Sequence, residues 1–176
     1  MNYPTPIKRH PSLVAFSRDH HFGLLLVWKI KHGLDNDIAP ERISNYVLYF
    51  FEQDLKLHFE EEEQMLFPLL PIDDVMRKRV EDDHAIMRRL IGQLENDRDN
   101  KNLLLQFAQI LNDHIRFEER ELFAALQLVA GREKLANMEL HGNERGSEMD
   151  AGWNDQFWTI KKRAPITDEG KTFLNQ

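Results

Sequence analysis

Cysteine is absent from this chain of 176 residues. Its absence excludes disulfides, a thiolate nucleophile, cysteine-bound zinc and cysteine-ligated clusters together. Any metal must therefore sit among nitrogen and oxygen donors. Long apolar runs are missing too. The longest, Phe22 to Trp28, falls far short of the roughly 20 residues that a membrane-spanning helix needs. The N-terminal residues Met1-Asn-Tyr-Pro-Thr-Pro6 lack the apolar region and cleavage site of a secretory signal, so a cytoplasmic protein with no membrane partner is expected. Surplus positive charge is also lacking. A net charge of −7 opposes a phosphate backbone, and the compact basic cluster Lys161-Lys162-Arg163 is small. No nucleic-acid partner is expected.

What is present is 41% apolar and 30% charged residues, the composition of a globular domain with a core of its own. Apolar residues recur at helical spacing in four stretches separated by turn chemistry. The first is read from an N-cap at Ser12 through Leu13, Phe16, His20, Leu24 and Val27 to near Gly33. The second starts at Pro40, carries Ile43, Val47, Phe51, His58, Glu62 and Leu66 on one face, and ends at Pro68 and Pro71. The third, capped by Asp73, shows Val80, His84, Met87, Ile91 and Leu94 before a polar turn from Asn96 to Lys101. The fourth carries Leu103, Phe107, Leu111, His114, Glu118, Leu122 and Ala125 and fades before Gly131.

Short connections make successive helices antiparallel neighbours, which predicts an all-α, up-down-up-down four-helix bundle over residues 10–130. Residues 131–176 read as an extension with a short helix near 132–144. Its Trp153, Phe157 and Trp158 carry too much apolar surface to leave in water, so it should pack on the bundle or on a second copy as a homodimer.

The chemistry lies in a repeat. His58-Phe-Glu-Glu-Glu62-Glu-Gln-Met-Leu66-Phe67 and His114-Ile-Arg-Phe-Glu118-Glu-Arg-Glu-Leu122-Phe123 both read H-x-x-x-E-E-x-x-L-F, and each comes after a lone Asp-His, Asp19-His20 and Asp83-His84. Positions i and i+4 of a helix lie one above the other, so each histidine and its glutamate can close on one metal-sized space. A lone histidine on an apolar stripe is more often a hydrogen-bonded core residue than a ligand. An unpaired buried carboxylate is strongly penalised, however, and four histidines with two stripe carboxylates make an expensive inert core.

Glu62 and Glu118 continue the stripes, whereas Glu60, Glu61, Glu63 and Glu121 read as ordinary surface residues. His20 is preferred to the adjacent His21. Aligning His20 with His84 matches Phe22 with Ile86, Leu26 with Leu90, Val27 with Ile91 and Ile30 with Leu94. Asp54, one turn before His58, is a candidate to orient that histidine, to pair with Arg88, or to sit on the surface. Tyr46 and Tyr49 read as core, and His10, His32 and His141 as solvated. Imidazole with carboxylate suits iron, manganese or zinc, and a site built twice suggests two metals.

With these motifs the chain resembles the hemerythrin-like, or HHE cation-binding, proteins over residues 12–130. The resemblance implies a non-haem di-iron centre, with His20, His58, His84 and His114 as terminal ligands and Glu62 and Glu118 as bridges. Zinc or manganese could replace iron in purified protein. It implies binding of O2, NO or peroxide for sensing, scavenging or storage, and leaves catalysis open. The family's O2 carriers place a fifth histidine where this chain has Arg88, and space the last carboxylate five residues after its histidine, where Glu119 stands; the stripe favours Glu118. Fewer ligands look more like the NO-responsive and repair-type members, but the repair proteins carry a cysteine-containing N-terminal segment. Two other readings compete. The ferritin-like, ferroxidase class uses Glu-x-x-His, which only Glu81-Asp-Asp-His84 matches. The other is a metal-poor interaction module docking through Trp153 to Trp158.

Overall fold

A computed structural model describes residues 9–136 and 149–159, and all regular structure among them is helical. α1 spans Pro11–Asp35, with proline in the first turn where its missing N–H costs nothing. Its cap is His10, whose ring Nδ1 accepts from the Ser12 amide at 3.2 Å. Ser12, expected to cap, instead donates its hydroxyl to the Leu135 carbonyl at 2.8 Å.

The second rod begins at Pro40 as α2, Pro40–Phe50. It runs on through a π turn, Phe51–Leu55, through α3, Lys56–Glu61, and through a second π turn, Glu62–Leu66, to a 3-10 turn at Phe67–Leu69 that contains Pro68. α4 spans Val75–Asn96. Its cap is Asp74, one residue beyond the expected Asp73, with Oδ1 accepting from the amides of Met76 and Arg77 at 2.7 and 3.2 Å. α5 spans Lys101–Phe117 under an Asn100 cap, continues through a π turn at Glu118–Leu122, and gives way to α6, Phe123–Ala136. Gly131, at φ 67° and ψ 167°, breaks α6 in a conformation that is essentially glycine's alone. The helix expected near 132–144 is seen as far as Ala136, and its remainder, with His141, lies outside the described residues.

α1 packs along α5 and α4 along α5, with α2 touching α1, α4 and α5, so four rods enclose one interior. α1 and α5 approach closely at Gly23, where a Cβ would come within 2.8 Å of Ile115 Cδ1. The apolar interior falls into two clusters. The larger holds Leu26, Ile30, Val47, Phe59, Met87 and Leu111; the smaller, at the end where α1 starts, holds Leu13, Phe16, Phe67, Val80, Leu122 and Phe123. Between them lies a polar layer. Phe59 stacks on His84 from one side, at 3.9 Å between ring centroids, and Phe123 stacks on His20 from the other, at 5.5 Å.

Residues 149–159 fold back onto the opposite end of the same bundle. Phe157 is buried against Gly33, where a Cβ would meet both Phe157 and Ile43 at 2.9 Å. Trp153 meets Tyr46 edge to face. Among the described residues no helix is long and apolar enough to cross a membrane.

Candidate metal centre

Each H-x-x-x-E-E motif runs from an α-helix into a π turn that starts at its first glutamate. The amide of Phe67 bonds the Glu62 carbonyl, and that of Phe123 bonds the Glu118 carbonyl, five residues back in each case. Such a turn holds one residue more than an α turn and rotates the helical residues beyond it about the axis. Leu66 and Phe67 are consequently both buried, as are Leu122 and Phe123.

The six expected site residues converge in the polar layer, and none is more than 6% exposed. His20, His58, Glu62 and Glu118 form one group that could hold a metal ion; Glu62, His84, His114 and Glu118 form a second, and the two share both glutamates. Glu62 Oε1 lies 3.2 Å from His58 Nε2 and 3.6 Å from His20 Nε2, while its Oε2 lies 3.3 Å from His84 Nε2. Glu118 Oε2 lies 3.0 Å from His20 Nε2 and 3.4 Å from His114 Nε2. Each carboxylate thus stands between two pairs of imidazoles. The buried oxygens of both glutamates and the Nε2 of His20 have no hydrogen bond. Orphaned groups of this kind carry a desolvation penalty that a bound cation would remove, and a set of four imidazoles and two carboxylates fits two such ions.

Behind this layer each histidine turns its other nitrogen to a carboxylate. His20 Nδ1 meets Glu119 at 2.7 Å and His84 Nδ1 meets Glu63 at 2.8 Å. His58 Nδ1 faces Asp19 at 3.5 Å and His114 Nδ1 faces Asp83 at 3.4 Å, both without hydrogen-bond geometry. Glu63 is therefore not the ordinary surface residue its acidic run suggested. Glu119 lies behind His20, and it is Glu118 that faces inward. Arg88 binds Glu63 at 2.6 and 3.1 Å, and Arg9, which the sequence did not single out, binds Glu119. The carboxylate facing His58 is that of Asp19, while Asp54 is buried a turn away. A signal for these residues was in the repeat: both copies have a second glutamate after the first, and both lone histidines have an aspartate before them.

His21 is exposed, its ring beside Phe22. His10 caps α1, and His32 stacks on Trp28 at 4.7 Å, so neither is merely solvated. Glu81, the one match to the ferritin-like spacing, pairs with Arg77 at 2.7 Å on the outer face of α4.

The charges are arranged to attract cations. Burial alone would push His20 and His58 down, but neighbouring carboxylates outweigh it. His20 rises well above its ordinary value beside Glu118, Glu119 and Glu62, and His58 rises to about 10 beside Glu62 and Asp19. Burial would raise Glu62, yet His58, His20 and His84 hold it well below the usual carboxylate range. Against the same burial effect, His84 and Arg88 bring Glu63 to about 2, and His20 and Arg9 bring Glu119 to about 2. The same negative field that favours a proton on these imidazoles favours a metal cation.

The chain is similar to a DNA nickase of Nostoc sp., 26% identical over 151 residues that cover 82% of this chain and 37% of that protein, so it spans little more than a third of that relative. No solved structure matches. Residues 18–126 match the hemerythrin HHE cation binding domain, a stretch that contains all six converging residues, and the chain belongs to that family.

Proposed function

We propose that the chain holds two iron ions in the cytoplasm, one on His20 and His58 and one on His84 and His114. Glu62 and Glu118 bridge them, and the centre binds O2, NO or peroxide for sensing, scavenging or storage. The observation that carries this reading is the pair of shared, fully buried glutamates whose oxygens find no hydrogen bond. When bound, iron supplies a redox-active centre with room for an added ligand. The chain's residues supply the rest. Six side chains offer fewer donors than two octahedral ions accept, and Arg88, tied to Glu63, stays out of the donor set. Leu55, Leu111 and Ile115 pack beside His20, His58 and His114, so apolar side chains close this flank of the layer to bulk water.

The test is anaerobic reconstitution with Fe(II), which should give about two irons per chain, and then ultraviolet-visible spectra before and after O2 and after NO. The open coordination predicts rapid oxidation by O2 and a distinct NO spectrum. A spectrum that O2 changes reversibly for hours would favour a carrier instead.

A DNA-directed activity is the second reading, favoured by the name of the Nostoc relative. Glu62 and Glu118 are 0% exposed, so a phosphodiester in a polymer does not reach them as the bundle stands. Nicking of supercoiled plasmid by the iron- or manganese-loaded protein, lost on Glu62→Ala, would reverse this order.

A further inference from the structure

We infer that Glu63 and Glu119 are positioning residues, one dedicated to each metal site, which fix His84 and His20 for coordination. The inference rests on the two-site reading above and adds residues that touch no metal. An ionised carboxylate only accepts hydrogen bonds, so the 2.8 Å contact from Glu63 to His84 and the 2.7 Å contact from Glu119 to His20 require Nδ1–H to donate. In the neutral imidazole that a metal binds, this leaves the lone pair on Nε2, the nitrogen facing Glu62 and Glu118, and fixes the ring's orientation.

Each glutamate is itself held. Arg88 grips both oxygens of Glu63. Arg9 binds the side chain of Glu119, its backbone carbonyl at 2.8 Å, and the Ser17 hydroxyl at 2.8 Å. The aspartates behind His58 and His114 stand 3.5 and 3.4 Å off and bond neither ring. Each site therefore has one braced histidine and one loosely backed histidine. The glutamate braces also run between the two halves of the repeat: Glu63, from the first, holds the second half's His84, and Glu119, from the second, holds the first half's His20.

Anaerobic titration with Co(II), whose visible absorption reports coordination geometry, tests the assignment on the full chain. Wild type should bind two ions. Glu63→Gln should weaken one of them by roughly 10- to 100-fold and leave the other, Glu119→Gln should do the same, and the double variant should weaken both. Two tight ions in the double variant would overturn the positioning role, and one tight ion would overturn the division between sites. Unchanged Co(II) affinity and absorption with a lowered melting temperature of the metal-free protein would show a purely structural role. Wild type that binds no Co(II) would defeat the two-site reading before any variant is made, so the two failures are distinguishable.

Discussion

Among the described residues two charged clusters are buried in this bundle, and only one of the two has the features of a metal site. At the end where residues 149–159 dock, Lys29 is 2% exposed, deeper than His20 or His58. Its ammonium donates to the Tyr46 hydroxyl at 2.8 Å, pairs with Asp150, and lies 4.1 Å from the Trp158 ring and 4.8 Å from that of Tyr46. No buried side-chain oxygen or nitrogen of Lys29, Tyr46 or Asp150 lacks a hydrogen bond, whereas the His/Glu layer leaves most of its inward-facing donor atoms without one. Burial lowers Lys29, and Asp150 only partly offsets it. Buried charge marks both places. What separates a structural lock from a binding site is whether the chain has already completed the group's bonding.

The largest effect expected is loss of metal. Glu62→Ala with Glu118→Ala should take the protein from about two irons to none, because each bridge serves both ions, and retention of two irons would sink the bridging assignment. At the other cluster, Asp150→Asn should leave iron content unchanged and lower stability by about 2 kcal/mol in a denaturant titration, a figure discounted for the partial exposure of Asp150. Iron loss in that variant would mean the two ends are not independent.

His20→Ala should release one iron while His21→Ala leaves iron content near normal. The opposite order would place the inner face of α1 one residue away.

A pH effect separates metal-free from loaded protein. His58 is raised to about 10 from its ordinary 6.5, so its contribution to the stability of the metal-free protein is fully present below about 6.5 and is lost as pH rises through about 10. Metal-loaded protein, whose ligand histidine is already unprotonated, should not show that loss. Parallel melting curves for the two forms from pH 6 to 10 would contradict it.

The stripes and the repeat made the bundle and its six inward residues legible in the sequence, because period and spacing are local properties. What stayed hidden depends on distant partners. Nothing near Glu119 announces that His20, 99 positions earlier, waits for it. Ser12 looked like a cap and lost that role to a contact with Leu135, 123 positions on. Nothing in the sequence singles out Lys29, whose partner Asp150 lies 121 positions on. The π turns were not foreseen, although two of them start at the same glutamate of the repeated motif.

The crossing of the glutamate braces has a consequence for how the molecule can be divided. A cut in the connection between Leu70 and Val75 would leave every aspartate with the histidine it faces and separate both Glu63 and Glu119 from theirs. Neither fragment could hold both of its histidines by itself, yet each carries the brace the other needs. Two chains of half this length, each with one Asp-His and one H-x-x-x-E-E, would hold between them every pairing found here in one, as two hands clasp with the same grip.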